Sequence, residues 1–458
     1  MIRQAVKREC LVFAVYLGLF AALVAVLIVF QPLNDPIGLT SPPDESARYL
    51  VPKWICEHGT LPTGLEEEVR IPGYGFSYAL YNMLPYIVMG YFMRFVSLFT
   101  ASEHALLLAA RFINLLSGLA MACAVWKIGK RLFREDRWRW LFCFGVMYEP
   151  GALFVHSFVT TDSFCLMSSA LILLALLCIR QDGIRLRSAL LLGVGIAVCA
   201  LSYYNGYGLI LTAVLLFPVL LIREEGGRTV MPWRDLIKWG AFVSAIVLLG
   251  AGWWFIRAYR VLDGDFLGLR TRNELAVLYG APAASPENSY AARGLSIWSM
   301  LFGTPFIPVL IVSLIGLYGS LKLGGGKLFY GLWLLLCGIG AAGAVAGFLR
   351  VRKTRPGWRY WYIHACMAVC ILSPLVILLR YAYATDLQYQ GRYLLPAIIP
   401  AAAYLVKGLR EVANRLSARE KWAKWVRPAV AAAYILVIGG AAYMVLVVSL
   451  PAYLRGVG

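Results

Sequence analysis

The stretch LVFAVYLGLFAALVAVLIVF (residues 11–30) decides the fold class, and SPPDESARYL (residues 41–50) follows closely behind it. An uninterrupted apolar run of this length is long enough to cross a hydrocarbon core of roughly 30 Å as a helix. The run is longer than the apolar part of a signal peptide, and no small-x-small cleavage site follows it. We therefore expect it to remain in the protein as a membrane span.

The composition extends this conclusion to the whole chain of 458 residues, because 60% of the residues are hydrophobic and only 15% are charged. A soluble domain with this balance would expose too much apolar surface. We predict an all-α polytopic integral membrane protein with roughly 11 transmembrane helices. The expected spans are 11–30, 104–126, 139–157, 163–180, 188–204, 206–222, 237–257, 328–349, 361–380, 394–409 and 427–450.

Basic residues in short loops explain the formal net charge of +19 and predict the orientation of the chain. Loops 127–139, 350–359 and 407–427 are rich in Lys and Arg, so they should face the cytoplasm together with the amino terminus. Segment 31–77 is rich in acidic residues and should lie outside. Because the positive charge has this explanation, we expect no nucleic-acid partner.

Two further apolar runs disagree with this orientation if both of them cross the membrane. Residues 78–99 are interrupted by Asn82, Pro85 and Arg94 and are rich in tyrosine, which is typical of a juxtamembrane helix in the outer interface. Residues 297–320 are broken by glycine and prolines. We predict that the first run lies along the surface and that the second is interfacial or re-entrant.

Polar and ionisable residues gather on the predicted outer face. An ionisable residue at membrane depth is costly and is by default functional. Acids and arginines on one side indicate a site that handles an anion and a proton together. The candidates come from the loop after the first span, from TTDSF (160–164), SYYNGYG (202–208) and GWWFIRAY (252–259), and from YQGRYLLP (389–396): Asp44, Glu45, Arg70, Asp162, Tyr204, Arg257, Gln390, Arg392 and Tyr393.

Several of these candidates also have a purely structural interpretation. Asp44 would cap the helix that follows it, and Asp162 would cap the next span. Arg257 would extend its side chain to the interface. SYYNGYG (202–208) would be a plain tight turn, and Arg392 would neutralise backbone carbonyls that two later prolines leave unbonded. These alternatives remain open from the sequence.

Four segments resemble the GT-C fold glycosyltransferases, a polytopic class that uses polyprenyl-phosphate sugars. The class includes protein O-mannosyltransferases and lipid A aminoarabinose transferases, and this chain is most similar to a bacterial branch related to them. The segments are PPDESARYL (42–50), RIPGYGFSYALY (70–81), GWWFIRAYRVLDGDFLG (252–268) and QGRYLLPAIIP (390–400).

The resemblance implies the GT-C fold, with juxtamembrane helices on the outer face, and a reaction. A sugar would move from a polyprenyl-phosphate donor to an acceptor hydroxyl, and a carboxylate must take the hydroxyl proton. Asp44 would be the general base, with Glu45 and Asp162 as further catalytic residues. Arginines would hold the donor phosphate in a bidentate fork. The substrate-binding residues would be Arg392, Tyr393, Arg257, Arg70, Tyr204 and Gln390.

The resemblance also implies a setting, namely the inner (plasma) membrane of a bacterial cell with the active site on the outer face. The partners would be the polyprenyl-phosphate sugar donor, a glycan, lipid or protein acceptor, and membrane lipids. No cofactor is certain and the identity of any metal is unknown, although a divalent cation is possible. Residues 1–410 would form the catalytic module, including outer loop 31–103. Residues 411–458 would supply a cytoplasmic basic loop and the final span.

Two other functions compete with this one. A lipid-linked oligosaccharide flippase, or another transporter, would usually show internal repeats and broken helices at the midplane. We find no repeat in the sequence, and the acids lie in an outer loop. A polysaccharide polymerase or ligase would usually centre on a large late outer loop, whereas the loop 258–296 is of moderate size.

Overall fold

The structure is a computed structural model that describes residues 2–34, 40–225, 228–281, 289–385 and 388–456. Residues 35–39, part of the predicted outer loop, lie outside the described residues. The helices are, in chain order, α1 (Ile2–Phe30), α2 (Glu45–His58), α3 (Leu84–Ser97), α4 (Glu103–Leu132), α5 (Asp136–Met147), α6 (Pro150–Phe154), α7 (Asp162–Asp182), α8 (Leu186–Ala200), α9 (Tyr207–Leu221), α10 (Trp233–Val247), α11 (Trp253–Val261), α12 (Leu269–Tyr279), α13 (Ile297–Gly303), α14 (Phe306–Gly316), α15 (Gly326–Lys353), α16 (Trp358–Ala384), α17 (Ile398–Ser417), α18 (Glu420–Tyr434), α19 (Gly440–Ala442) and α20 (Leu450–Gly456).

Short turns and hairpins complete the described structure. The 3-10 turns are Glu67–Val69, Tyr78–Leu80, Tyr204–Gly206 and Gly391–Ala397. The π-helical turns Leu248–Gly252, Ile435–Gly439 and Tyr443–Ser449 lie inside long helices and join their α-helical parts. Two small antiparallel hairpins are formed by β1 (Arg223–Glu225) with β2 (Arg228–Val230), and by β3 (Leu317–Tyr318) with β4 (Leu323–Gly324). The protein is thus built almost wholly from helices, as predicted.

Within the described residues, eight helices are long and apolar enough to cross a membrane, or nine if a bent pair counts as one span. The chain is therefore a multi-pass membrane protein. The eight are Lys7–Phe30, Glu103–Leu132, Asp162–Asp182, Tyr204–Leu221, Trp233–Val261, Gly326–Lys353, Trp358–Ala384 and Glu420–Arg455. Each of them coincides with one of the predicted spans.

The predicted count of eleven spans is not confirmed, because three of the predicted spans are not single long apolar helices. Span 139–157 is split into α5 and α6 at Pro150, a residue without an amide hydrogen to continue a helix. Span 188–204 is the helix α8 of only 15 residues. Span 394–409 begins as a 3-10 turn containing Pro396, and the helix after it runs on into charged residues.

The basic segment 407–427 also differs from the expected loop. The helix α17 continues to Ser417, and α18 begins at Glu420, so only a short turn separates two helices. Lysine and arginine are good helix formers, and a run rich in them does not by itself end a helix. The predicted cytoplasmic loop is therefore largely helical.

The two apolar runs that were not expected to cross are both irregular. The run 78–99 is a 3-10 turn followed by α3, which has 14 residues and is about 21 Å long, too short for the hydrocarbon core. The run 297–320 contains α13 and α14, which are bent by 66° at a short break. The bend falls at Thr304 and Pro305, next to the glycine that ends α13. The orientation of both pieces relative to the membrane stays a prediction.

Small residues bring the helices that surround the site into close contact. On α3, an added Cβ at Gly90 would collide with Ile55 and the carbonyl of Pro52, so α2 lies directly on α3. On α15, an added Cβ at Gly343 would overlap the backbone oxygen of Gly408 on α17. Close backbone approach at small residues is a common way of packing helices in membranes. These contacts fix α2, which carries candidate site residues, and α17, which follows the turn that carries others.

Candidate active site

Asp44 occupies an unusual backbone conformation just before α2. Its φ is 61° and its ψ is 9°, in the left-handed region that few residues other than glycine, Asn and Asp adopt. Its side chain makes no capping hydrogen bond to the helix. The capping interpretation of Asp44 is therefore wrong, because the conformation turns the carboxylate away from the amides of the first turn.

The carboxylate of Asp44 instead faces two arginines. Arg392 Nη2 donates to Asp44 Oδ2 at 2.8 Å, and Arg48 Nη2 lies 3.8 Å from the same oxygen. Arg392 is carried by the 3-10 turn 391–397, so the contact joins the first outer loop to a distant part of the chain. The Asp44 side chain is 33% exposed, whereas the Arg392 side chain is only 8% exposed. Asp44 is thus the accessible partner of this pair.

The electrostatic balance keeps Asp44 ionised. Burial on its own would raise the pKa of this carboxyl, but the positive charges of Arg392 and Arg48 and the hydrogen bonds from Arg392 and Tyr78 outweigh burial, so the pKa is lowered. An ionised carboxylate accepts hydrogen bonds only and can accept a proton. Asp44 is therefore a carboxylate whose proton affinity depends on whether its arginine partners stay in place.

Asp162 lies at the first turn of α7 and belongs to the same cluster. Its Oδ2 accepts a hydrogen bond from Thr160 Oγ1 at 2.6 Å and is 4.0 Å from Arg48 Nη1, which donates to Thr160 Oγ1 at 2.9 Å. Arg48 thus connects Asp44 with Asp162. Asp162 is only 4% exposed, so its carboxylate orients its neighbours and does not face solvent.

Glu45 lies next to Asp44 in sequence but points into the protein. It is fully buried and forms a two-point ion pair with Arg111, whose Nη2 and Nε lie 2.6 Å and 2.8 Å from its two oxygens. The amide of Val159 also donates to it at 2.8 Å. Arg111 in turn donates to the carbonyls of Ile28 and Gln31 at the end of α1. Glu45 therefore holds α1, α2 and α4 together beneath the loop.

Gln390 and Tyr393 flank Arg392 on its 3-10 turn. The ring of Tyr393 stacks on that of Tyr203, with centroids 6.1 Å apart, and its hydroxyl lies 3.5 Å from Gln388 Oε1. Gln390 Nε2 donates to the same Gln388 oxygen at 3.2 Å. The Tyr393 ring lies beside the arginine, with its centre 5.3 Å from the Arg392 guanidinium, and Gln390 lines the same small cavity as Arg392.

Arg70, Arg257 and Tyr204 form a separate group. Arg257 donates to the carbonyls of Leu61 and Pro62 at 3.1 Å and 2.9 Å. The Arg70 guanidinium lies 3.9 Å from the centre of the Tyr279 ring, and the Tyr204 hydroxyl donates to the carbonyl of Leu267 at 2.8 Å. Within the described part of the chain, no hydrogen bond or ion pair joins these three to Asp44 or Arg392. They hold the outer loops in place.

Several polar atoms at the cluster are buried without a partner among the described residues. They are Arg392 Nε, Arg48 Nε and Gln390 Oε1. Leaving a buried donor unpaired is costly, and native structures keep such groups rarely. Two unpaired guanidinium donors beside one accessible carboxylate are what an incoming anion would satisfy. The cluster can therefore bind an anion and hold a base within one site.

The same cluster does not fit a divalent cation in this arrangement. Asp44 and Asp162 both face Arg48, and Glu45 is held by Arg111, so every carboxylate already lies next to a positive charge. A cation at these oxygens would be repelled by the guanidinium groups. Among the described residues, no group of three or more His, Cys, Asp or Glu is placed to bind a metal.

The residues Arg48 and Arg111 were missed by the sequence analysis. Arg111 lies inside the predicted span 104–126, and an arginine within a span is itself a signal of function or of a buried partner. Arg48 lies one helical turn after Asp44, a spacing that places both on one face of a helix. Both signals were present in the sequence.

Comparison with known proteins connects this site to a fold. No protein-family model and no curated protein matches the sequence, whereas solved structures do. The archaeal oligosaccharyltransferase AglB from Archaeoglobus fulgidus, in complex with an inhibitory peptide and a dolichol-phosphate, matches with a TM-score of 0.54 at 14% identity, over 94% of this chain and 55% of that one. The fold is the GT-C fold.

Two further structures match in the same way. The A. fulgidus oligosaccharyltransferase in complex with Zn and sulfate has a TM-score of 0.52 at 17% identity, over 93% of this chain and 53% of that one. ArnT from Cupriavidus metallidurans, bound to undecaprenyl phosphate, has a TM-score of 0.49 at 15% identity, over 97% of this chain and 76% of that one. The chain thus spans little more than half the length of the oligosaccharyltransferases, and the match concerns the GT-C fold alone.

Proposed function

We propose that this protein is a membrane glycosyltransferase that moves a sugar from a polyprenyl-phosphate donor to an acceptor hydroxyl on the outer face of a bacterial inner membrane, with its amino terminus in the cytoplasm. The observation that carries the proposal is the pair formed by Asp44 and Arg392. In this pair an accessible carboxylate contacts a guanidinium, a cation suited to phosphate, within the GT-C fold.

The reaction needs a base and an anion site together. As the acceptor oxygen attacks the anomeric carbon, its proton passes to the Asp44 carboxylate, and the bond from that carbon to the phosphate oxygen breaks. The phosphate leaves with the electron pair and needs fixed positive charge. Arg392 supplies it, because a guanidinium binds phosphate oxygens through two parallel hydrogen bonds.

The ion pair between Asp44 and Arg392 implies an order in which the two groups act. In the structure, Arg392 lowers the pKa of Asp44 and so weakens it as a base. A donor phosphate that draws the Arg392 guanidinium away would remove this effect and raise the pKa of Asp44. Asp44 then becomes a stronger base only when the donor is bound, which protects the donor from premature reaction.

The remaining candidates take supporting roles in the proposal. Arg48 and Asp162 position Asp44, and Arg48 adds a second guanidinium to the anion site. Gln390 and Tyr393 contribute polar and aromatic surface to the donor sugar, and Glu45 holds the loop from below. Arg70, Arg257 and Tyr204 brace the outer loops, through which they would affect donor binding.

The partners follow from the same proposal. AglB was solved with a dolichol-phosphate, which is a polyprenyl-type lipid phosphate, and this supports a lipid-phosphate donor here. The acceptor would be a glycan, a lipid or a protein. We further propose that residues 1–410, with outer loop 31–103, form the catalytic module and that residues 411–458 supply a cytoplasmic basic segment and the final transmembrane helix.

The test is turnover of the Asp44→Asn variant. Asn adopts the left-handed conformation as readily as Asp, so the variant should fold and still bind donor. Its turnover should fall by about 10²–10⁴-fold, the contribution typical of general acid–base catalysis. Purified protein would be incubated with a panel of polyprenyl-phosphate sugars and acceptors, and released polyprenyl phosphate would be measured.

Glu67→Gln is the matched control, because Glu67 is an exposed carboxylate in the same outer loop. It should leave turnover unchanged. Equal turnover for wild type and Asp44→Asn, with a donor and acceptor that the wild type uses, would remove Asp44 from the mechanism.

A further inference from the structure

A cavity lined by both charged and apolar side chains lies far from the candidate active site. It has a volume of about 320 Å³ and is lined by Arg180, Leu220, Arg359, Tyr360 and Ile363. These residues come from the end of α7, the end of α9 and the beginning of α16. A volume of this size lies within the range of small-molecule binding sites, and two of the five lining residues carry permanent positive charge.

The charges around this cavity are not neutralised. Arg180 is exposed and forms no ion pair or hydrogen bond with any residue in the described part of the chain. Lys407 lies within electrostatic reach of both Arg180 and Arg410, and only Arg410 has an acidic partner, Glu135 at 3.0 Å. Like charges held together repel one another, so a bound anion would stabilise this group.

Arg359 is positioned to share in binding. Its Nη2 donates to the carbonyls of Val219 and Ile222, both at 3.0 Å, which closes the end of α9 and fixes the guanidinium in place. No residue in the described part of the chain accepts a hydrogen bond from its Nε or Nη1, so these N–H groups can bind another acceptor. A fixed guanidinium next to a free one forms a fork-shaped set of donors that matches the oxygens of a phosphate.

The depth of the cavity follows from α7. Arg180 lies eighteen positions after Asp162 on one continuous helix, a separation of about 27 Å along its axis. That distance is close to the thickness of the hydrocarbon core, so the two sites lie at opposite faces of the membrane. Trp358 and Trp361 are exposed beside the cavity, and such aromatic residues mark the level of lipid headgroups.

We propose that this cavity binds a phosphate group, and specifically the headgroup phosphate of an anionic phospholipid in the leaflet opposite the candidate active site. The apolar lining residues Leu220 and Ile363 suit the glycerol and the first carbons of the acyl chains, whereas Arg180 and Arg359 suit the phosphate. Basic pockets between helices at a membrane face bind anionic headgroups in this way. The site is separate from glycosyl transfer and does not depend on it.

The test measures retention of lipid by the full chain in detergent. Dioleoyl phosphatidylglycerol would be titrated into the protein, and bound lipid would be counted by native mass spectrometry. The wild type should retain one lipid more tightly than the rest, and Arg180→Gln should weaken that binding about tenfold, since a charge-assisted hydrogen bond contributes at least that factor. Arg187→Gln is the matched control, because Arg187 is an exposed arginine at the same end that does not line the cavity.

Three further arms decide the source of the phosphate and keep the result interpretable. Dioleoylglycerol has the same acyl chains without phosphate and should show no dependence on Arg180. Inorganic phosphate at millimolar concentration should not displace the lipid, and displacement of the lipid would overturn the headgroup assignment in favour of a free phosphate. If Arg180→Gln does not fold, Arg359→Gln provides the second variant, because Arg359 is the other arginine that lines the cavity. Wild-type retention of phosphatidylglycerol by a folded variant would overturn the site.

Discussion

At the scale of single residues, the central feature is a carboxylate whose charge partners determine how strongly it holds a proton. Asp44 lies between Arg392 and Arg48, and Asp162 lies on the other side of Arg48. The left-handed backbone at Asp44 makes this arrangement possible, because it directs the side chain across the loop and away from its own helix. Backbone strain of this kind costs free energy and persists where the surrounding structure holds it.

Arg392→Lys tests whether Arg392 binds the donor phosphate. Lysine keeps the charge but loses the planar fork, so donor affinity should fall by about tenfold or more while the protein stays folded. Donor binding would be measured directly, with turnover recorded in parallel. Arg270→Lys serves as the control, because Arg270 is exposed and pairs with Glu274 at the surface. Unchanged donor affinity in Arg392→Lys would contradict the anion-site assignment.

The lowered pKa of Asp44 predicts a pH dependence of stability. A carboxyl whose pKa is lower in the folded protein contributes stability above its usual pKa and loses it as the pH falls through the folded value. The difference in unfolding temperature between wild type and Asp44→Asn should thus be constant from pH 8 to pH 5, and should shrink only below about pH 4. A difference that instead grew on acidification would show that Asp44 is not held ionised by its arginines.

How much of this site the sequence could predict depends on the kind of contact. The sequence predicts one membrane face for Asp44, Asp162 and Arg392, and in the structure Asp44 pairs directly with Arg392 while Arg48 connects Asp44 with Asp162. The sequence grouped Glu45 with the catalytic residues and did not predict its ion pair with Arg111, because that pair joins two different helices and spacing along the chain carries no information about it. The sequence also grouped Arg257 with the site. The charge pattern predicts which face of the membrane a residue lies on, but not where on that face it lies.

At the scale of the elements, close approach of backbones positions the site. The helices α15 and α17 meet at Gly343 and Gly408. Because the 3-10 turn that carries Arg392 leads directly into α17, this contact also positions the turn. The sequence predicted both helices as spans because their apolar runs are long. It did not predict that α17 would start at Ile398 and continue to Ser417, because proline and charge patterns locate helix ends only approximately.

Gly343→Val tests this packing. A valine side chain would overlap the backbone oxygen of Gly408, so α15 and α17 must separate. The variant should lose roughly 1–3 kcal/mol of stability, as overpacked positions typically do. The unfolding temperature in detergent would be compared with those of Gly338→Val and Gly347→Val, which lie on the same helix with nothing within 4 Å of an added Cβ. Equal losses in all three variants would mean that helix propensity, and not contact, causes the effect.

At the scale of the whole molecule, one segment of the described chain runs beside a long span without forming a continuous helix. Segment 136–160 consists of α5, α6 and an irregular end, yet it runs back along α4 until Asn114 donates to the carbonyls of Phe158 and Thr160. From Leu132 to Asn114, α4 covers about 27 Å, so the returning segment covers the same depth. A search of the sequence for continuous apolar helices treats this broken segment as one span. The basic residues of loop 127–139 nevertheless predict the direction in which the segment runs.

The orientation of the chain is the last prediction. Segment 31–77 should face outward and segment 407–427 should face the cytoplasm, because the first is acidic and the second is strongly basic. Glu67→Cys and Lys421→Cys place a thiol at an exposed position on each predicted side. They would be made in a background that lacks Cys10, which is exposed, whereas the other nine cysteines are buried or half-buried. In intact cells an impermeant thiol reagent should label the first variant only, and both variants should react once the membrane is opened. Labelling of both variants in intact cells would place segments 31–77 and 407–427 on one side of the membrane, and the orientation predicted from the basic and acidic loops would then be wrong.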